Sequence, residues 1–237
     1  MQTTSAPTPA LPLPEAAMDV EALSRLKACR LSFTQSLLVR MLRERWRIAR
    51  RRWDLDDDGR GTATYEIAAR GLVMTLILFS DRLREEEQQE RIVATRWDVM
   101  AALVEGPVGL QEIEELRREI PLVIDGRMPR QGLMWCRANR SSRVFDHTVE
   151  RLAEGRQPDI GLVAEAGYLL RTLDFRANVL NGSRPLLAYP HDHPLRGPFF
   201  AQMLGCYVIR QFSIDLIEHI ASRRSVQPRV LDRGVAR

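Results

Sequence analysis

Three groups of side chains have the types and spacing to do chemistry. The first lies in Cys136–His147, where Arg137, Arg140 and Arg143 recur every three residues and Asp146 and His147 follow. A guanidinium is the natural clamp for carboxylate or phosphate, because its planar fork donates two parallel hydrogen bonds. Read as helix, the segment puts His147 on the face of Arg140 and Arg151. That face would bind a small anion through Arg137, Arg140 and Arg143, with His147 and Asp146 as the acid–base pair beside it. The same pattern also describes a solvated polar face, with Glu150 and Glu154 pairing with the arginines. Charge runs at helical spacing usually face solvent.

The second group is His191-Asp192-His193. Side chains two apart in an extended segment point the same way, so both imidazoles can reach one metal ion. His219, beside Asp215 and Glu218, would add a ligand from the last predicted helix. Such a set suits a divalent iron, zinc or manganese. The plain alternative is a polar loop plus a histidine near a helix end, favoured there by the helix dipole. Asp54–Gly59 also opens like a calcium loop (DLDDDG), but its twelfth position is Tyr65 rather than Glu, and a strand pattern follows. It reads as an acidic turn neutralising Arg50, Arg51 and Arg52.

The third group is the arginine stripe Arg40, Arg43, Arg47 and Arg51, which could meet nucleic acid, an anionic surface or a protein partner. Trp46 and Trp53 fall on the apolar face, away from the stripe, so base stacking on them is disfavoured. The acidic turn next to the stripe repels phosphate. Nucleic acid is therefore disfavoured as a partner.

Several chemistries are excluded. Lys27 is the only lysine among 35 basic residues and follows Leu26, so there is no phosphate-binding Gly-Lys pair. Near the start of a predicted surface helix, Lys27 is also a poor Schiff-base residue, which argues against pyridoxal phosphate. No GxGxxG, GxSxG or HExxH occurs. The net charge is +4, with 31 acidic residues offsetting most of the arginines. Cys29, Cys136 and Cys206 are odd in number and widely spaced, which fits reduced thiols in a cytoplasmic protein. No apolar run approaches the ~20 residues of a membrane span. Residues 1–18, with four prolines and no basic residue, read as a disordered tail rather than a targeting signal.

These groups must be positioned by a fold. Asp19–Trp53 carries Leu31, Leu38, Leu42, Trp46 and Trp53 at helical spacing with no Pro or Gly, and predicts one long amphipathic helix. Thr62–Ala69 and Leu72–Phe79 predict two strands joined at Arg70-Gly71. Arg91–Val104 reads either as a third strand or, less regularly, as a helix, and the strand is favoured because it gives the doubly apolar second strand a partner on each side. Helices are predicted over Leu110–Glu119, Gln131–Glu154 (ended by Gly155), Pro158–Arg176 and Gly197–Arg224. Ala177–Arg196, with three prolines, is a long irregular connection of the kind that forms a lid or is disordered. The expectation is a helix-rich α+β single domain at 19–224, built on a small three-stranded antiparallel meander with about five helices on one face. A stub follows at 225–237.

Leu37–Asp54 (LLVRMLRERWRIARRRWD), Arg137–His147 (RANRSSRVFDH) and Gly155–Asp159 (GRQPD) resemble the N-terminal part of a family of longer, uncharacterised bacterial proteins. The resemblance implies no activity. It implies that this chain corresponds to one part of a longer architecture.

Three functions follow from the residues. One is an intracellular enzyme or binding domain for a small anion, using Arg137, Arg140 and His147 under an Ala177–Arg196 lid. Another is a metal protein using His191, His193 and His219. The third is an interaction module that docks a partner through the Arg40–Arg51 stripe.

Overall fold

A computed structural model describes residues 35–83, 97–125, 127, 132–140, 142–159, 161, 170–177, 190–196 and 199–232. The strands are β1 (Arg47–Leu55), β2 (Gly61–Ala69), β3 (Leu72–Ser80), β4 (Val99–Glu105), β5 (Met134–Arg140) and β6 (Leu170–Ala177). The helices are α1 (Gln35–Arg43), α2 (Leu110–Ile124), α3 (Ser142–Ala153) and α4 (Phe200–Arg224). The strands form one antiparallel sheet in the order β1-β2-β3-β4-β5-β6, each paired with its neighbour in sequence. The class is α+β, but the expected three-stranded meander is corrected to six strands.

The three extra strands come from segments assigned to helices. The long N-terminal helix stops at Arg43, and Arg45 takes a left-handed conformation (φ 56°). The Arg45 N–H donates to the Leu42 carbonyl and the Trp46 N–H to the Met41 carbonyl. That pair of bonds is a Schellman ending, normally built on Gly. It turns the chain into β1, where Arg47, Arg50, Arg51 and Arg52 lie on the sheet edge. The predicted Gln131–Glu154 helix is likewise split into β5 and α3. β5 alternates cleanly, with Met134, Cys136 and Ala138 in one core cluster and Trp135 in the other. β6 occupies the end of the predicted Pro158–Arg176 helix.

The central hairpin forms as its sequence implies. β2 and β3 pair in unbroken register from Gly61–Ser80 to Ala69–Leu72. Arg70 and Gly71 both have positive φ (52° and 82°), the requirement of a two-residue type I′ turn. β4 then pairs with β3 through Leu76–Leu103 and its neighbours, so the strand expected in Arg91–Val104 is present from Val99 onward.

Both faces of the sheet are covered, which corrects the expectation of helices on one face. Ala63, Tyr65, Ile67, Leu76, Leu78, Ala101 and Leu103 face the main core with α1, α3 and α4. Ile77, Phe79, Met100, Ala102 and Trp135 face Ile113, Leu116 and Val123 of α2. α4 is buried nearly all round: Val208, Ile209, Phe212, Leu216 and Ile217 have no exposed surface. Each such side chain contributes about 1.5–3 kcal/mol of burial. No described helix is long and apolar enough to cross a membrane.

Candidate functional site

The strand assignment redistributes the predicted anion site. Residues three apart on a strand lie on opposite faces, so Arg137 and Arg140 separate. Arg137 is buried under α2, its guanidinium carbon 4.6 Å from the centre of the Trp97 ring and its Nη1 3.5 Å from the Val123 carbonyl. Arg140 emerges on the α4 side, at the sheet end where β3 finishes, β4 begins and β5 gives way to α3.

Asp98 holds that end together. Its Oδ1 accepts the Leu83 N–H at 3.0 Å and its Oδ2 accepts the Arg140 N–H at 2.9 Å. Its own N–H donates to Asn139 Oδ1 at 2.9 Å, and its carbonyl accepts from Asp81 N at 2.7 Å. One buried carboxylate thus ties three strand ends. Burial pushes its carboxyl up, against the downward pull of the Leu83 and Arg140 amides.

On this scaffold the Arg140 guanidinium projects over the Phe145 ring at 5.2 Å. Nη2 donates to Ser80 Oγ at 2.9 Å and to the Gly59 carbonyl at 3.3 Å. Nε is buried with no acceptor among the described residues. Arg140 makes no ion pair among the described residues. Burial lowers its pKa from the ordinary arginine value, while Asp98 opposes that fall.

Asp146, at the start of α3, faces the same group. Burial pushes its carboxyl up, while Arg82, Arg140 and Arg224 pull it down. Among the described residues Arg82 reaches only a distant partner, Asp58 at 3.9 Å. The Asp146 carboxyl is therefore half-buried and feels the positive charge of three guanidiniums. Such a set can bind a small anion and exchange a proton with it.

Of the predicted residues, the structure brings Arg140 and Asp146 together here. His147 turns the other way, where its Nε2 accepts the Asp159 N–H at 3.4 Å. The Arg143 side chain and most of the proposed lid, 178–189, lie outside the described residues. Sequence reasoning missed Asp98, Arg82, Ser80 and Arg224. Their only signal was the end of a strand, and they come from distant segments.

The predicted metal ligands are not assembled. His219 Nδ1 accepts from Trp53 Nε1 at 3.1 Å and its Nε2 lies 2.8 Å from the Asp56 carbonyl. That pair of contacts commits both ring nitrogens within the fold. His193 Nδ1 accepts from Leu195 N, and the ring senses Arg40 and Glu105 at the opposite end of the sheet. His191 is exposed. No group of three or more His, Cys, Asp or Glu converges among the described residues. In the acidic turn, Asp56 Oδ1 accepts its own loop's Asp58 and Arg60 N–H groups, and Arg52, Arg82 and Arg223 meet Asp54, Asp58 and Asp57. It is an arginine-neutralised hairpin turn.

No protein-family model, curated protein or solved structure matches the chain.

Proposed function

We propose that the chain binds a small carboxylate- or phosphate-bearing ligand at the corner formed by Arg140, Arg82, Arg224 and Asp146. One observation carries this reading: Arg140 is fixed at a strand end by backbone and hydroxyl acceptors and makes no direct ion pair among the described residues, where Asp98, Asp146 and Asp81 act on it only at longer range. A buried cation without a contacting carboxylate is costly, and an anionic ligand in direct contact would offset that cost. Of the expected acid–base pair, Asp146 keeps the role and His147 loses it, since Asp146 acts on Arg140 while His147 turns toward Asp159. The reading keeps Arg140 from the sequence-based site and drops Arg137, which lies under the other face.

Calorimetric titration with inorganic phosphate and with succinate tests this. Arg140 also supports Gly59 and Ser80, so the informative variant is the exposed pair Arg82→Ala/Arg224→Ala. Each charged hydrogen bond contributes about 1.5–3 kcal/mol, so affinity should fall tenfold or more at an unchanged melting temperature. A folded double variant that binds like the parent, or a parent that binds neither anion, rejects the site.

A further inference from the structure

The opposite end of the sheet carries a second cationic feature. Arg43 closes α1, Arg45 occupies the left-handed position of the Schellman turn, and Arg47 begins β1. All three are exposed, and none pairs with an acid among the described residues. Arg70, at the left-handed first position of the β2–β3 turn, joins them: its Nη1 lies 3.7 Å from Glu44 Oε1.

Glu44 is the acid set between these arginines, and its charge is turned inward; Glu105, at the end of β4, stands three strands away from β1. Oε1 accepts from Arg40 Nε at 2.9 Å and Oε2 accepts from Trp46 Nε1 at 2.8 Å. These partners hold its carboxyl below the usual range despite the opposing effect of burial. Elsewhere on this edge the arginines are neutralised: Arg50 by Asp215, Arg51 by Glu66 and Arg52 by Asp54. Exposed, unpaired guanidinium is thus concentrated where the two turns meet.

Two further observations identify the partner. A membrane-binding surface needs apolar residues to insert, and a protein interface needs an apolar or aromatic core. Val39 is the only exposed large apolar residue on α1, and none lies on β1 or at the β2–β3 turn among the described residues. A phosphodiester backbone needs neither, and the arginine fork matches phosphate. The acidic turn at Asp54–Asp58 follows the far end of β1, about 26 Å from Arg47 at 3.3 Å per residue, beyond the ~8 Å screening length at physiological salt.

We infer that Arg43, Arg45, Arg47 and Arg70 form a sequence-independent contact surface for the phosphate backbone of nucleic acid. With Trp46 buried, no aromatic platform from this turn accompanies it, so affinity should not depend on base identity.

Fluorescence anisotropy with a labelled 20-mer single strand and the matching duplex tests this on the full chain. The expected result is binding to both. For the duplex, log affinity should fall with log salt at a slope of about −3 to −4, as four phosphate contacts require. Arg43→Glu/Arg45→Glu/Arg47→Glu should weaken binding at least tenfold. If that variant fails to fold, Arg43→Gln/Arg47→Gln replaces it, leaving the strained Arg45 in place; it should weaken binding severalfold and lower the slope by about two. Arg82→Ala/Arg224→Ala should bind as the parent, which separates this surface from the small-anion site. Four outcomes overturn the inference: no binding by the parent, binding unchanged in the folded variants, binding to phosphatidylserine vesicles but not nucleic acid, and equal competition by polyglutamate.

Discussion

Tyr65 Oη donates to Asp215 Oδ2 at 2.6 Å, joining the middle of the sheet to α4 through the main core. Asp215 is completed by Gln211 Nε2 at 2.7 Å and Arg50 Nη1 at 3.6 Å. Burial and the adjacent carboxylate push the Tyr65 phenol well above its ordinary value. Hydrogen bonds to charged groups are the strong ones, and a buried acceptor that loses its donor costs most. Tyr65→Phe should lower stability by about 1.5–3 kcal/mol in urea unfolding with an unchanged m-value. A change below 0.5 kcal/mol would mean that Arg50 and Gln211 suffice to hold the carboxylate.

Gly61 has φ +139°, and a Cβ there would overlap the Asp54 carbonyl oxygen. Gly71 has φ +82° with open space around its missing side chain. Gly71→Ala should cost ~1 kcal/mol from backbone strain alone. Gly61→Ala adds displacement of the β1–β2 turn and should cost ~2–3 kcal/mol. Thermal unfolding of the two variants side by side checks the order, and equal losses would mean that the turn relaxes freely.

Asp146 is destabilised as an anion by burial, so its folded-state pKa lies above the ordinary aspartate value. The sign follows from linkage: the folded state holds this proton more tightly, so its contribution is complete below the ordinary carboxyl range and is lost as pH rises through the raised value. Asp146→Asn should therefore match the parent near pH 3 and melt higher at pH 7. It should also bind phosphate more tightly at pH 7, because a negative charge among three arginines has gone. Parallel melting curves at both pH values would show that Asp146 is fully solvated.

Burial raises the Cys206 thiol to about 11, and Cys136 is fully buried. At pH 8 only about one part in a thousand of Cys206 is thiolate, the reactive form. In a Cys29→Ser background, iodoacetamide should label the native protein slowly and label two thiols rapidly in urea. Fast native labelling at Cys206, located by peptide mapping, would show that α4 opens.

The legible parts of the fold were those whose turn chemistry is spelled out locally. Arg70-Gly71 between two apolar runs specified a hairpin, and Gly155 ended α3 by a Schellman turn: its N–H donates to the Leu152 carbonyl and that of Arg156 to the Arg151 carbonyl. α1 ends by the same pair of bonds, but Arg45 stands where Gly is usual. An arginine-rich stretch with no Gly or Pro reads as continuous helix, so β1 was lost inside it. β5 was lost for a related reason. Met134, Cys136 and Ala138 alternate, but Arg137, Arg140 and Arg143 at steps of three pointed to a helical face. Arg140 was expected to share one helical face with His147 and to act with Arg137, but that segment is a strand followed by a helix, so Arg137 lies under the other face of the sheet and His147 turns toward Asp159. Asp98 could not be found because its role is to join three strand ends, and no local pattern records that.

The order in which the strands pair has a consequence for how the chain is made. Since β1 to β6 each bond to the strand synthesised just before, the sheet can zip up as the polypeptide emerges, with little loop-closure cost. The helix that buries most of its main-core face is α4, and residues 200–224 come after every described strand. A nascent chain paused near residue 195 would hold a hydrogen-bonded sheet with Leu76, Leu78, Ala101 and Leu103 under little cover. Such a species is prone to aggregation. The interval before α4 is delivered is therefore when this protein has most need of a chaperone, and slow decoding of that stretch should reduce its soluble yield more than slow decoding anywhere earlier.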